Sequence, residues 1–306
     1  MRTIIDTDPG IDDAMTFYYA HGSDRTDLAG LTTIFGNVTT SIATRNALWL
    51  GDSVGTPYAV HRGADVPREM PGNPPSARVH GEQGFGDIVV EGVTRKPGAV
   101  TAAEHLVAEA AKDPGTLTVC AIGPLTNIAA ALDLDAGFIG NLRRLVIMGG
   151  SLDAGGNVTA HAEANFWNDP HAAHRVLTAP GEGEVVVVGL DVTRQVAFAP
   201  EHFDRVARDA PVAGDILRRM GDFYMRFYES VTGKRHCFLH DPAALIAGEF
   251  PEMFGMEAHR LGVVREGERI GEMVRDGSSP RICRVCTRVD AEAVVARYLD
   301  VLARLD

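Results

Sequence analysis

Along most of this chain, short apolar runs bounded by Gly, Pro, Asn or Asp alternate with longer stretches where apolar residues recur at helical spacing. Residues 2–6 predict a buried strand, followed by a helix that runs through His21. Residues 28–35 predict a strand, 42–50 a helix and 58–60 a short strand. Thr101 opens a helix that runs to Lys112, with Glu104 placed to complete a capping box, and Asp113-Pro114-Gly115 stops it. Residues 116–122, 145–148 and 185–190 predict buried strands, and Gly123-Pro124-Leu125-Thr126 turns into a helix that runs through Leu132. Asp169-Pro170 and Asp241-Pro242 each open a helix with Pro in its first turn, and residues 201–231 are mostly helical. Residues 256–264, 270–274 and 282–289 predict strands, and 291–305 the closing helix. This alternation implies a mainly parallel sheet covered by helices on both faces, an α/β fold. No internal repeat or polar linker interrupts it, so residues 1–306 predict one open domain. The stretch 63–98 is the exception, rich in Gly and Pro and without a period. A stretch that long inside a compact domain is functional or carries small local elements.

Composition narrows the partners. A net charge of −12 argues against nucleic acid polymers, which need a basic footprint, and leaves small neutral molecules open. Arg2 is followed by too few apolar residues for a signal-peptide core, and no apolar run could span a bilayer. A cytoplasmic protein with no membrane partner is expected, and its four cysteines are expected to be reduced. Cys283-Arg284-Val285-Cys286 lacks a second Cys pair or nearby His to complete a metal set, so it is read as part of a strand.

The chemistry concentrates in Asp6-Thr7-Asp8-Pro9-Gly10-Ile11-Asp12-Asp13, between the first strand and the first helix. So much like charge at one turn is costly unless neutralised. With oxygen ligands all around, a hard divalent cation is the simplest neutraliser. Asp8 and Asp13 are candidate ligands, and Asp12 could hold a metal-bound water and take its proton. A helix cap accounts for one such Asp but not for four. Asp241 repeats the theme downstream, as cap, ligand or both, and His240 beside it could be a proton donor. Asn37, Thr126, Asn157, Glu163 and Asn165 follow predicted strands, where an open parallel sheet binds its ligands. Amides with a carboxylate suit sugar hydroxyls, which both donate and accept. No Gly-x-Ser-x-Gly elbow, Walker loop or dinucleotide fingerprint is present.

The first motif resembles the signature of the inosine–uridine nucleoside hydrolase family. Phe35-Gly36-Asn37-Val38, Ile122-Gly123-Pro124-Leu125-Thr126-Asn127, Met148-Gly149-Gly150, Glu163-x-Asn165 and His240-Asp241-Pro242 are similar to its later motifs, in order. The resemblance implies a single Rossmann-like α/β domain, a bound calcium ion, a homotetramer or homodimer, and hydrolysis of a ribonucleoside to ribose and free base. By motif position, Asp8, Asp13, Asp241 and the Thr126 carbonyl would hold calcium, and Asp12 would activate the calcium-held water. Asn37, Asn157, Glu163 and Asn165 would hold ribose hydroxyls, Met148 would pack on the sugar, and His240 would face the leaving base. The oxocarbenium-like charge of such a reaction suits an acidic rim.

Two departures fall where the base and the closing loop should be. Ala164 replaces an aromatic, and His80-Gly81-Glu82-Gln83-Gly84 carries Gln83 in place of an acid. His80 is a candidate pocket residue, as are Phe166, Trp167, Tyr224 and Tyr228. Two rivals remain. A magnesium-dependent phosphohydrolase would use Asp6 and Asp8 as nucleophile and acid, and a calcium-dependent nucleoside or sugar binder would have lost catalysis.

Overall fold

The computed structural model describes residues 1–306. Its strands in chain order are β1 (Arg2–Thr7), β2 (Asp27–Thr33), β3 (Val60–Arg62), β4 (Leu117–Ala121), β5 (Arg144–Met148), β6 (Val185–Val188), β7 (Ala197–Phe198), β8 (Cys237–Phe238), β9 (Phe254–His259), β10 (Leu261–Val263), β11 (Met273–Arg275) and β12 (Cys283–Val289). The helices are α1 (Ile11–Gly22), α2 (Thr40–Ser53), α3 (Ala77–His80), α4 (Ala102–Lys112), α5 (Thr126–Leu134), α6 (Phe138–Asn141), α7 (Ala164–Asn168), α8 (Pro170–Leu177), α9 (Leu190–Thr193), α10 (Pro200–Asp209), α11 (Pro211–Thr232), α12 (His240–Glu249) and α13 (Ala291–Leu302). No helix is long and apolar enough to cross a membrane.

Eight strands form one sheet in the order β3-β2-β1-β4-β5-β6-β12-β9. All its pairings are parallel except that of edge strand β9 with β12. Alternate residues of the central strands face opposite sides: Ile5 and Val146 join one apolar core, Ile4 and Leu145 the other. With both faces covered, the strands read as continuous apolar runs such as Val185–Val188. From β1 the chain winds outward through β2 and β3, then returns to place β4 on the other side of β1. The switch point therefore lies between β1 and β4, and the crevice beyond their carboxyl ends is where this topology binds ligands.

The structure corrects several sequence boundaries. The strand expected over 256–264 is two strands in different sheets, β9 and β10. Arg260 lies at the break, tied through its side chain to Ser279 and through its carbonyl to Asp276. The strand expected over 270–274 is β11, displaced because Gly267 and Gly271 adopt positive φ and build a turn there. Ala210-Pro211 divides the helical region 201–231 into α10 and α11. The strand expected over 58–60 is β3, and the 185–190 run ends at Val188 because Leu190 starts α9. Cys283 and Cys286 do lie in a strand, and their side chains enter opposite cores, so they share no site.

Candidate active site

Strand β1 delivers the acidic segment to the switch point, and α1 begins immediately after it. Asp6, Asp8, Asp12, Asp13 and Asp241 are all buried. His80 is the only basic side chain within ion-pair reach of any of them, 3.7 Å from Asp12. Burial drives its pKa down to about 4, so it brings no positive charge near neutrality. Burial is also the main cause that pushes Asp6 up to about 7 and Asp12 and Asp13 up to about 6. Asp8 and Asp241 are raised too, by burial and then by neighbouring carboxylates.

The hydrogen bonds divide these carboxylates. Asp13 is held at both oxygens: Oδ1 accepts from the Thr7 hydroxyl (2.5 Å) and the Asp8 N–H (3.2 Å), Oδ2 from the Gly10 N–H (2.9 Å) and Asn37 Nδ2 (3.0 Å). Asp6 Oδ1 accepts from Thr32 and Asn127, which makes Asp6 a brace between β1, β2 and α5. Asp8 Oδ2 accepts the Asn37 N–H at 2.6 Å, while Asp6 Oδ2, Asp8 Oδ1 and Asp12 Oδ1 are buried without a partner. Asp12, Asp13 and Asp241 each offer an oxygen within 4.8 Å of the others. Orphaned carboxylate oxygens, converging acids and no positively charged side chain among them fit a hard divalent cation. The tightest triad thus includes Asp12, while Asp8 stands beside it. The Thr126 hydroxyl donates to Asp169 at 2.7 Å, which ties the start of α5 to the start of α8.

Two glycines make room for Asp8. A Cβ on Gly36 would lie 2.1 Å from Asp8 Oδ2, and one on Gly123 2.6 Å from Asp8 Oδ1. Gly123→Ala is therefore expected to displace the orphaned oxygen and weaken divalent-cation affinity about 10–100-fold. Calorimetric titration with calcium checks this, and an unchanged affinity would remove Asp8 from the site.

Above the acids lies a cavity of about 490 Å³. Asp12, Asn37, His80, Met148, Asn157, Glu163, Asn165, His240 and Asp241 all line it; Asp8, Asp13 and Thr126 do not. Glu163 caps α7 and accepts from the N–H groups of Gly150, Asn165 and Phe166. Burial still raises it to about 7. Asn165 Nδ2 donates to the carbonyls of Ile122 and Met148, which fixes the amide and leaves Oδ1 as an acceptor. Asn157 Oδ1 accepts from the Ala164 N–H, leaving Nδ2 as a donor.

The far wall carries a hydrogen-bonded chain. Tyr224 donates to Asp12 Oδ2 (3.0 Å), so at the 3.5 Å contact between the two phenols it accepts from Tyr228. Tyr228 in turn meets His240 Nε2 at 2.9 Å, and His240 Nδ1 meets the Thr193 hydroxyl at 2.7 Å. His240 thus meets one hydroxyl at each ring nitrogen, which fixes the plane of the ring. Burial, with Arg194 and His80 nearby, lowers His240 to about 3, so its ring is neutral. His80 Nδ1 accepts the Ile11 N–H at 3.1 Å, which makes Nε2 its donor.

Of the candidate aromatics, Tyr224 and Tyr228 line the cavity, whereas Phe166 packs in a core and Trp167 lies outside the cavity lining. Ala164 lines it, but Gln83 does not, because its side chain is held by Arg45. Asp6 is also absent from the lining, with Oδ1 fixed by two donors between β1, β2 and α5, which argues against the nucleophile of the phosphohydrolase reading. Sequence reasoning missed Arg194, Phe227 and Phe238, which line the cavity, and Thr193, which holds His240 from behind it. They follow no signature, and only the position of residues 193 and 194 just past a buried strand marked them.

A profile of the inosine-uridine preferring nucleoside hydrolase family matches residues 3–296. The chain is 35% identical to uridine nucleosidase 1 of Arabidopsis thaliana over 311 residues, covering 96% of this chain and 90% of that one. It is 30% identical to the inosine-uridine preferring nucleoside hydrolase of Crithidia fasciculata, covering 99% and 98% of the two chains. Its fold superposes on the purine-preferring ribonucleoside hydrolase from Gardnerella vaginalis with a TM-score of 0.95, at 30% identity over 100% of this chain and 99% of that one. With the acidic switch point and its cavity already in place, this match over nearly the whole chain makes the protein a member of the inosine-uridine preferring nucleoside hydrolase family.

Proposed function

We propose that the cavity binds one ribonucleoside and that the chain hydrolyses its N-glycosidic bond to ribose and free base. The observation that carries this reading is the pairing, in one cavity, of an unpartnered buried Asp12 oxygen with fixed amide and carboxylate groups suited to a ribose. Asp8, Asp13, Asp241 and the Thr126 carbonyl would hold the cation, for which we propose calcium, since every donor is an oxygen. When bound, the cation positions the attacking water and makes it more acidic.

Asp12 Oδ1 takes the proton of that water while Oδ2 stays anchored by Tyr224. The water oxygen bonds to the anomeric carbon, and the C–N bonding pair leaves with the base. Asn37, Asn157, Glu163 and Asn165 hold ribose hydroxyls, and Met148 packs beneath the sugar. The buried carboxylates favour the positive charge that develops on the ring. The departing nitrogen needs a proton, and the one that Asp12 takes from the water is passed to it along Tyr224, Tyr228 and the neutral His240 ring.

A panel of purine and pyrimidine ribosides, assayed by release of free base with calcium present, tests this reading. Base and ribose are expected in equal amounts. Tight binding of ribosides without release would favour the non-catalytic binder.

A further inference from the structure

We propose that Asp191, Thr193 and Arg194, on the single turn that follows β6, form a positioning clamp holding both walls of the cavity. The inference rests on the ribonucleoside reading of that cavity.

The sugar-side wall needs a clamp. From Asp153 to Ala160 the loop buries no side chain, and Asn157 itself is exposed. Apolar packing therefore cannot set where Asn157 stands, and polar ties must do so. Asp191 supplies three of them. Its Oδ2 accepts the Leu152 N–H at 2.7 Å, and its Oδ1 accepts those of Asp153 (2.7 Å) and Ala154 (3.1 Å). Arg194 complements the next stretch, donating to the carbonyls of Ala154 and Gly156. Acid and base thus serve successive donors and acceptors of the strand of loop that leads directly into Asn157. Between them, the Thr193 hydroxyl is hydrogen-bonded to His240 Nδ1 and fixes the ring on the opposite, base-side wall. One turn of backbone thus ties the loop that leads into the ribose-binding amide to the histidine, beside the local ties of Asn157 to Ala162 and Ala164.

Hydrogen exchange and steady-state kinetics on the calcium-loaded enzyme test the clamp. In Asp191→Ala, the amides of Leu152, Asp153 and Ala154 should exchange at least about tenfold faster while those of β5 hold their wild-type rates. KM for a ribonucleoside should rise about tenfold with kcat within about threefold, because ordering the loop becomes a cost of binding. Arg194→Ala should act likewise, with partial recovery in Arg194→Lys. Thr193→Val should lower kcat about tenfold for natural ribosides and leave KM unchanged. It should spare 4-nitrophenyl riboside, whose leaving group departs without a proton. Faster exchange with an unchanged KM would show the ties to be structural only, and unchanged exchange would show no clamp at all. If the wild-type enzyme released no base from any riboside, the functional reading would fall, and exchange at Leu152–Ala154 alone would still decide whether the clamp exists.

Discussion

Asp12→Asn is expected to lower kcat for ribonucleoside cleavage by about 10²–10⁴-fold while leaving KM within a few-fold. The substitution is nearly isosteric. The amide oxygen can still accept from Tyr224, so the chain of hydroxyls to His240 keeps its geometry. What disappears is a group able to take a proton at the position of the unpartnered Oδ1. Because Asp12 also belongs to the close triad with Asp13 and Asp241, a loss of cation could mimic the effect. Calcium affinity measured on the same variant separates the two: near wild-type affinity with collapsed turnover identifies the base. Turnover within threefold of wild type would rule Asp12 out of that role.

Removing the cation should cost nearly all activity and a large share of stability. Saturating a site at about 1,000 times its dissociation constant stabilises the fold by about 4 kcal/mol, and a chelator would withdraw that amount. The pH dependence has a definite sign. In the cation-free fold, Asp6, Asp12, Asp13 and Glu163 sit at about 6–7, above their ordinary values of 3.8 for Asp and 4.5 for Glu. Between those limits the folded chain keeps protons that the unfolded chain has released. Stability of the chelated protein is therefore fullest below about pH 4 for these groups and falls as pH rises through about 7. Calcium should reverse the trend across the same window, since binding to carboxylates expels their protons. Melting curves from pH 5 to 7.5, with chelator and with calcium, should diverge as pH increases; parallel curves would mean that the acids are neutralised in some other way.

The parts of this fold legible in the sequence were those fixed by local physics. Val185–Val188 could only be a strand buried on both faces. Thr101 and Glu104 form the expected capping box, and Asp169 caps α8 ahead of Pro170. The acidic segment was conspicuous because its charge has no neighbour in sequence to balance it. Less legible were features decided by distant partners. Nothing local tells that residues 256–264 break between two sheets, because the break is set by Arg260 reaching Ser279. Within the site, Asp6 and Asp8 look alike in sequence, yet Thr32 and Asn127 turn one into a brace while Gly36 and Gly123 keep the other open. The substitution at Gln83 looked like a change in the pocket, and Arg45 holds it outside. His80 shows the opposite case: the unpatterned stretch 63–98 delivers it to the cavity through a single turn of helix.

The cavity's two halves rest on different kinds of support. Its acidic floor comes from strand ends and helix starts locked into the sheet, whereas Phe227, Val231 and Thr232 project from the last turns of α11, where Val231 is 54% exposed. Mutations on that outer helix face carry little risk to folding, while those on the floor disturb the cation and the sheet together. Under selection, the preference for one base over another can therefore drift freely while the cleavage chemistry stays fixed. Enzymes built on this plan should diversify by leaving group far more readily than by sugar.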